Sequence, residues 1–163
     1  MYVANVDEYA IKSGNEFSSE LILHAEKRDI PIVKISAKIE EELSEIKDED
    51  EKYQLMKSLE ITKSSLDQFI KSGFKLLDLI TFFTSGEKET KAWTIVKNTI
   101  APEAAGKIHT DFQKGFIAAE VINYKQLVEL GGEKNARNSG KIRTEGKDYI
   151  VEDGDVILFR FNV

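Results

Sequence analysis

The hydrophobic pattern of the chain changes near Leu77, and this change constrains the fold more than any other feature. Over residues 36–76 apolar side chains recur mostly at helical spacing, whereas beyond Leu77 short β-rich runs are separated by glycine-containing turns. A chain of 163 residues has room for one domain or two small ones. The pattern therefore predicts two domains, residues 1–80 and 81–163, with the boundary near residues 78–84.

The first part is predicted to be an α/β piece followed by helices. Its two strands are separated by one helix, a spacing that favours a parallel strand pair. Asn15 is placed to cap that helix, and Ser64 or Ser65 is placed to cap the last one. The predicted elements are strands at residues 2–5 and 32–35 and helices at residues 16–28, 48–59 and 65–76.

The second part is predicted to be α+β. A turn at Ser85-Gly86-Glu87-Lys88 joins its first two strands, and Asp153-Gly154 is the strongest short hairpin signal in the chain. Two strands, a helix and further strands are compatible with a ubiquitin-like β-grasp, and the pattern alone supports α+β. The predicted elements are strands around Ile80 and Phe82 and around Trp93 and Ile95, a helix at residues 101–115, a strand at 121–124, a helical turn at 126–130, and a last strand whose core face is Ile157, Phe159, Phe161 and Val163.

The composition excludes several kinds of site. No cysteine is present, which rules out disulfides, thiolate catalysis and cysteine-ligated metals. The two histidines, His24 and His109, can supply at most two ligands, so no histidine-rich metal site is expected. The chain has no apolar stretch long enough to span a bilayer and no signal-peptide pattern at its start, so we expect a cytoplasmic protein without membrane contacts.

The net charge of −6 comes from the first part. Residues 1–80 hold 11 Lys and Arg against 17 Asp and Glu, which gives −6, whereas residues 81–163 hold 12 against 12, which gives zero. We interpret the acidic runs Glu40-Glu41-Glu42 and Asp48-Glu49-Asp50-Glu51 as solvated helix faces. The neutral second part can still present a local basic face to RNA.

Polar residues follow both strands of the first part: Asn5-Val6-Asp7-Glu8 and Ser36-Ala37-Lys38. Ligands of open α/β sheets bind at such carboxyl ends of strands. P-loop GTPases place Asn-Lys-x-Asp and Ser-Ala-Lys there to hold the purine. In this chain Val6 replaces the Lys and Glu8 replaces the Asp, which predicts a loss of guanine preference. Two structural alternatives stay open, a strand end with a polar turn and a helix N-cap at Ser36.

Taken together, the two motifs resemble the fourth and fifth nucleotide-binding motifs of the YchF/Obg-like ATPase family. The second part is similar to the C-terminal TGS domain of that family, on the residues Trp93-Thr94-Ile95, Ala101-Pro102-Glu103-Ala104-Ala105-Gly106 and Gly146-Lys147-Asp148-Tyr149. The resemblance implies a remnant of a P-loop NTPase domain with a helical linker over residues 1–80 and a TGS β-grasp domain over residues 81–163. It also implies ATP bound by Asn5, Val6, Glu8, Ser36, Ala37 and Lys38.

No P-loop sequence, Gly-x-x-x-x-Gly-Lys-[Ser/Thr], occurs in the chain. The pairs Gly106-Lys107, Gly140-Lys141 and Gly146-Lys147 lack both the upstream glycine and the following Ser or Thr. The resemblance begins at the fourth motif, so we expect a fragment whose parent holds Mg²⁺ and the ATP phosphates in an upstream part. This chain alone is expected to hydrolyse no ATP and to need no cofactor, unless a separate upstream half complements it.

The resemblance implies the ribosome or ribosomal RNA as a partner, because TGS domains resemble ribosome-facing modules. A protein-interaction β-grasp module that binds no nucleic acid is the alternative. A dimer through exposed N-terminal strands is a further expectation. The candidate contacts to RNA phosphates are Lys91, Lys97, Lys107, Lys114, Lys141, Arg143, Lys147 and Arg160.

His109 and Asp111 suggest an acid–base pair, but no nucleophile lies near them in the sequence. We therefore predict a structural role, with Thr110 or Asp111 as a capping or turn residue, and no catalytic residue in this chain.

Overall fold

The computed structural model describes residues 1–86 and 89–162. It is mixed α+β and divides into two compact units, Met1–Leu76 and Leu77–Val163. Glu87 and Lys88 of the predicted turn, and Val163 of the predicted core face, lie outside the described residues. None of the helices described is both long and apolar enough to cross a membrane.

The first unit contains a parallel pair of strands, β1 and β2, as predicted. Asn15 caps the helix between them through a capping box: its side-chain oxygen accepts from the Ser18 N–H at 2.9 Å, and the Ser18 hydroxyl accepts from the Asn15 N–H at 2.8 Å. The predicted helix at 16–28 ends two residues early. The elements are β1 (Tyr2–Asn5), α1 (Ala10–Ser13), α2 (Glu16–Glu26), β2 (Ile32–Ile35), α3 (Ala37–Glu45), α4 (Glu49–Ser58) and α5 (Ser65–Leu76).

Glu40 is a structural residue, and its interpretation as part of a solvated acidic run is wrong. Its carboxylate accepts hydrogen bonds from the Ser64 hydroxyl at 2.7 Å, the Ser65 N–H at 2.8 Å and the Ser65 hydroxyl at 2.6 Å. Burial alone would raise the pKa of Glu40, but the hydrogen bonds from Ser65 and Ser64 outweigh it and leave the pKa below its usual value. The carboxylate therefore ties the start of α5 to α3.

Ser64 caps α5, which confirms one of the two predicted caps. Its hydroxyl oxygen accepts from the N–H groups of Leu66 at 3.1 Å and Asp67 at 3.3 Å. These are donors of the first helical turn, which has no intrahelical acceptor for them.

The second unit is a five-stranded sheet in the order β4-β3-β7-β5-β6. The central contact between β3 and β7 is parallel, and the other pairs are antiparallel. The elements are β3 (Leu79–Ser85), β4 (Thr90–Val96), α6 (Ala101–Ile108), α7 (Thr110–Lys114), β5 (Phe116–Asn123), α8 (Tyr124–Glu129), α9 (Glu133–Asn138), β6 (Arg143–Glu145) and β7 (Asp155–Phe161).

The core of the second unit lies between one face of this sheet and α6. Phe82 is fully buried, and its ring meets that of Phe159 edge-on at a centroid distance of 5.9 Å. Ala101, Ala104 and Ala105 are also fully buried, which lets α6 approach the sheet closely. The prediction that core-facing and outward-facing side chains alternate along the last strand is confirmed for the residues described.

The single helix predicted at residues 101–115 is wrong, because the chain leaves helical geometry at His109. His109 is extended, with φ −160° and ψ 143°, and it separates α6 from α7. The chain then turns at Gly115, where an added Cβ would lie 1.9 Å from the carbonyl oxygen of Asn162. The close approach of these two backbone segments explains why glycine stands there.

The strand predicted at residues 121–124 is longer than expected and ends one residue earlier. β5 begins at Phe116, and Tyr124 starts α8. Asn123 caps α8 by accepting from the Lys125 N–H at 3.1 Å, so a side chain ends the strand and begins the helix.

The hairpin predicted at Asp153-Gly154 is also wrong. A turn exists there, with Gly154 at φ 85°, but β7 pairs with β3 and β5 and not with a strand directly before the turn. The turn docks on Thr81 instead. The Asp153 carboxylate accepts from the Thr81 N–H at 2.8 Å, and the Gly154 N–H donates to the Thr81 carbonyl at 2.8 Å.

Candidate functional site

The two polar motifs of the first unit meet at the carboxyl ends of β1 and β2. Asn5 lies opposite Ile35 in the parallel register, so the residues that follow the two strands are neighbours. The Asn5 side-chain oxygen accepts a hydrogen bond from the Ala37 N–H at 3.1 Å. This bond links residues 32 positions apart in the sequence and fixes the Asn5 amide beside the start of α3.

A second link joins the same two segments through charge. The Lys38 ammonium lies 2.9 Å from the Glu8 carboxylate. The hydrogen bond and the charge of Lys38 lower the pKa of Glu8, and those of Glu8 raise the pKa of Lys38. Glu8 is therefore an ionised acceptor at neutral pH, and both side chains remain in contact with solvent.

Ser36 occupies the N-cap position of α3, but its side chain does not cap the helix. Its carbonyl accepts from the Glu40 N–H at 3.0 Å, which starts the helix. The hydroxyl is fully buried and has no hydrogen-bond partner within the described part of the chain. The N-cap alternative is thus correct for the backbone and wrong for the side chain.

Val6 and Tyr9 differ sharply in exposure. Val6 is buried, at 8% exposed, and its N–H donates to the Ile35 carbonyl at 2.8 Å, so it extends the strand pairing. Tyr9 is 85% exposed and directly follows Glu8. Sequence reasoning missed Tyr9. The sequence signal for Tyr9 is an aromatic residue that directly follows the polar end of a strand. At that position its ring cannot be part of the hydrophobic core.

The basic residues predicted to contact RNA are all exposed, but the structure does not gather them on one face of the second unit. Lys107 and Lys114 are in the last turns of α6 and α7. Arg160 alternates with the buried Phe159 and so lies on the opposite face of the sheet. The remaining candidates follow the edge strands and loops: Lys91, Lys97, Lys141, Arg143 and Lys147.

Three of these basic residues already have partners inside the unit. The Lys91 ammonium lies 4.4 Å from the centre of the Trp93 ring. Arg143 donates to the Tyr149 hydroxyl at 3.1 Å. Arg160 pairs with the carboxylate of Glu120, which is only 6% exposed. These three side chains therefore make contacts within the second unit itself, apart from any contact with RNA.

His109 and Asp111 form a local pair with a structural role. The His109 ring nitrogen Nδ1 lies 3.4 Å from the Asp111 carboxylate and accepts from the Asp111 N–H at 3.2 Å. His109 is therefore the capping residue of α7, a role predicted for Thr110 or Asp111. Among the residues described, no group of three or more His, Asp and Glu side chains could hold a metal ion.

The fold and the strand-end site define the class of the chain: a two-unit α+β protein in which two parallel strands end in polar motifs. The family YchF-GTPase_C, described as a protein of unknown function (DUF933), matches residues 79–162, more than half of the chain. The chain belongs to this family, which confirms the resemblance drawn from its motifs.

Individual relatives agree with this assignment. Over its whole length the chain is 48% identical to the ribosome-binding ATPase YchF of Bacillus subtilis, and the alignment covers 45% of that protein. It is 55% identical over 114 residues to the Obg-like ATPase 1 of Caenorhabditis elegans, covering 70% of this chain and 29% of that protein. The solved structure of the Schizosaccharomyces pombe YchF GTPase superposes with a TM-score of 0.88 at 34% identity, over 98% of this chain and 43% of that one. The chain thus spans less than half the length of the relatives it matches.

Proposed function

We propose that this chain is the C-terminal part of a cytoplasmic, ribosome-associated protein of the YchF type that binds and hydrolyses ATP. The observation that carries the proposal is the hydrogen bond between Asn5 and the backbone of Ala37, reinforced by the ion pair of Glu8 and Lys38. These contacts bring together two motifs that purine-binding domains use on the base. The names of its relatives supply the ATPase activity and the ribosome.

The geometry suits adenine at this site. With its oxygen bonded to Ala37, the Asn5 amide keeps its two N–H donors for a purine nitrogen. Glu8 is ionised and accepts only, so it fits the exocyclic amino group of adenine. The exposed ring of Tyr9 offers a surface on which the base can stack.

The phosphates of ATP and their Mg²⁺ would be held by an upstream part of the longer protein, since no P-loop sequence occurs in this chain. We propose that this chain alone hydrolyses no ATP and binds the nucleotide weakly through its base. Residues 1–80 are then the remnant of the P-loop domain with its helical linker.

Residues 81–163 are proposed to be a TGS domain with a β-grasp fold. The support is the strand order, in which the first and last strands of the unit, β3 and β7, are parallel neighbours at the centre of the sheet. The proposed task of this domain is contact with the ribosome or its RNA through exposed lysines and arginines.

Sedimentation of the purified chain with ribosomes across a salt series tests the ribosome contact. Co-pelleting should fade steeply with salt, because each phosphate contact adds about 0.7–0.9 to the slope of log affinity against log salt. Replacing both lysines, Lys141→Gln and Lys147→Gln, should reduce this slope by about the amount that two phosphate contacts contribute. The matched control, Lys57→Gln with Lys71→Gln, removes two exposed lysines of the first unit and should leave it unchanged. An absence of co-pelleting at low salt would contradict the proposal.

A further inference from the structure

The second unit contains a cavity on the face of its sheet opposite α6. The strands β5 and β7 form its floor, and α8 and α9 form one wall. Its volume is about 160 Å³. The side chains that matter here are Glu120, Ile122, Leu127, Arg137, Val156 and Leu158. None of these lining residues belongs to the base site or to the candidate RNA contacts. Arg160, which is one of those candidates, does not line the cavity but pairs with Glu120.

The size of the cavity restricts what can occupy it. Pockets for metabolite-sized ligands are usually about 300–1,000 Å³, so this one is too small for a whole nucleotide. A cavity of about 150 Å³ with an apolar lining accepts a benzene ring. Ile122, Leu127, Val156 and Leu158 give this cavity a mainly apolar lining. It therefore fits one aromatic or branched aliphatic side chain.

The floor of the cavity and its α9 wall carry charged side chains that are fixed in place. Glu120 is 6% exposed, and its carboxylate pairs with Arg137 at 2.9 Å and with Arg160. Arg137 also pairs with Glu133 at 2.9 Å. The hydrogen bond from Arg137 contributes most to holding the pKa of Glu120 below its usual value. A buried, ionised carboxylate thus holds two guanidinium groups that are themselves 48% and 57% exposed.

Guanidinium groups held in this way suit an incoming carboxylate. Each arginine has five N–H donors in a planar fork, more than its recorded pairs use. Because Glu120 already orders both side chains, less conformational entropy is lost when they bind a ligand.

The segment of the chain that contains α8 and α9 is basic in sequence. Residues 124–147 carry six Lys and Arg against three Glu, a net charge of +3, whereas the whole chain carries −6. This segment contains α8, α9 and β6, the elements beside the cavity. Charge complementarity therefore favours an acidic partner.

We propose that this cavity binds a short acidic segment of a partner protein, which inserts one aromatic or branched aliphatic side chain. The inserted side chain packs on Ile122, Leu127, Val156 and Leu158. The carboxylates beside it pair with Arg137 and Arg160. This makes the second unit a peptide-binding module, in addition to any contact it makes with RNA.

The test uses the full 163-residue chain and a fluorescein-labelled peptide, Asp-Glu-Asp-Phe-Glu-Asp, whose binding is followed by fluorescence polarisation. Replacing the Phe of the peptide by Ala should weaken binding roughly tenfold or more, as expected for a buried anchor. A peptide with Lys in place of every acidic residue should not bind. Backbone amide NMR shifts caused by the acidic peptide should cluster at Ile122, Leu127 and Val156.

A matched pair of variants separates the cavity from general surface effects. Leu158 and Ile150 are each 50% exposed, but only Leu158 lines the cavity. We expect Leu158→Gln to weaken binding about fivefold and Ile150→Gln to leave it unchanged. Arg137→Gln should weaken binding and reduce its salt dependence, and its thermal melt shows whether the unit still folds.

Three results would overturn the proposal. One is an absence of saturable binding by the acidic peptide. Another is equal binding of the Phe and Ala peptides. The third is a set of NMR shifts that lies on the β4 edge or on the lysines instead of at the cavity. If a single-stranded RNA oligonucleotide shifts Ile122, Leu127 and Val156 and the peptide does not, the cavity is an RNA site.

Discussion

The two units of the chain differ in how they are held together. In the second unit thirteen of the described hydrophobic residues are buried, among them Phe82, Phe116 and Phe159. In the first unit seven are buried, and none is aromatic. The first unit depends instead on hydrogen bonds between separate segments, such as Glu40 with Ser64 and Ser65. One unit is therefore stabilised mainly by apolar packing and the other to a greater extent by polar links.

Removal of a core ring should produce the largest effect. Phe82→Ala should lower the free energy of unfolding of the second unit by about 3–5 kcal/mol, because Phe82 is fully buried between Trp93 and Phe159. Native-state hydrogen exchange measures this for each unit separately. Phe17→Ala, at a residue 79% exposed, is the control and should change little. Equal loss of protection in both units would show that they unfold together. The difference in how the two units are stabilised would then be contradicted.

The polar links of the first unit predict the next effect. Glu40→Gln should lower the free energy of unfolding of this unit by about 1.5–3 kcal/mol at neutral pH, because charged hydrogen bonds are lost. The folded pKa of Glu40 lies below its unfolded value, so the stabilisation from its charge is fully present above the unfolded pKa and is lost as the pH falls through the folded pKa.

Urea unfolding of the parent chain and of Glu40→Gln, measured from neutral to acidic pH, checks both parts of this prediction. The two curves should converge as the pH falls. Glu41→Gln, at an exposed neighbour, should follow the parent chain throughout. A constant difference at all pH values would mean that shape, and not charge, makes Glu40 important.

A smaller effect is expected at the cap of α2. Asn15→Ala should cost about 0.5–2 kcal/mol, since it removes the acceptor for the Ser18 N–H. Asn15→Gly should cost only a few tenths of a kcal/mol, as glycine is tolerated at an N-cap. Circular dichroism during urea unfolding measures both changes. If the two variants behave alike, the capping box does not stabilise this unit.

The sequence predicted the local elements of both units well, because short-range signals decide them. The strands β1 and β2, the helix α5 and the cap at Asn15 follow from spacing and residue type alone. The errors arose where contacts with residues far away in the sequence determine the structure. The turn at Gly154 is local, but the pairing of β7 with β3 and β5 depends on residues far away in the chain.

The same distinction holds for the candidate site. The motifs at Asn5 and Ser36 were recognisable from their place after two strands, and the structure brings them together. The bond between Asn5 and Ala37 and the bond between Glu40 and Ser64 were not predictable, because they join residues 32 and 24 positions apart. The burial of the Ser36 hydroxyl was not predicted either. Whether these residues bind ATP stays a prediction.

The dimer expected through the N-terminal strands also stays a prediction, and we further predict that residues 1–40 are weakly stabilised in the monomer. Parallel strands are usually buried on both faces within a larger sheet, whereas the sheet of β1 and β2 has two strands among the residues described. Fast amide exchange over residues 1–40 in a dilute sample, slowed at high concentration, is the expected result. Uniformly slow exchange at both concentrations would contradict it.

The smallest expected effect on stability lies at the ion pair of Glu8 and Lys38. Both side chains are in contact with solvent, so Glu8→Gln should leave the unfolding midpoint of the first unit unchanged. The same variant should alter base recognition, because a glutamine amide both donates and accepts and no longer selects the amino group of adenine.

Amide NMR shifts at Asn5 and Ala37 measure this change in base recognition. In the parent chain adenosine should shift these two amides more than guanosine does, and in Glu8→Gln the two nucleosides should shift them equally. Glu20→Gln, at an exposed residue of α2, should keep the preference. Equal shifts from both nucleosides in the parent chain would show that these residues only join two segments, and the polar links of the first unit would then be structural throughout.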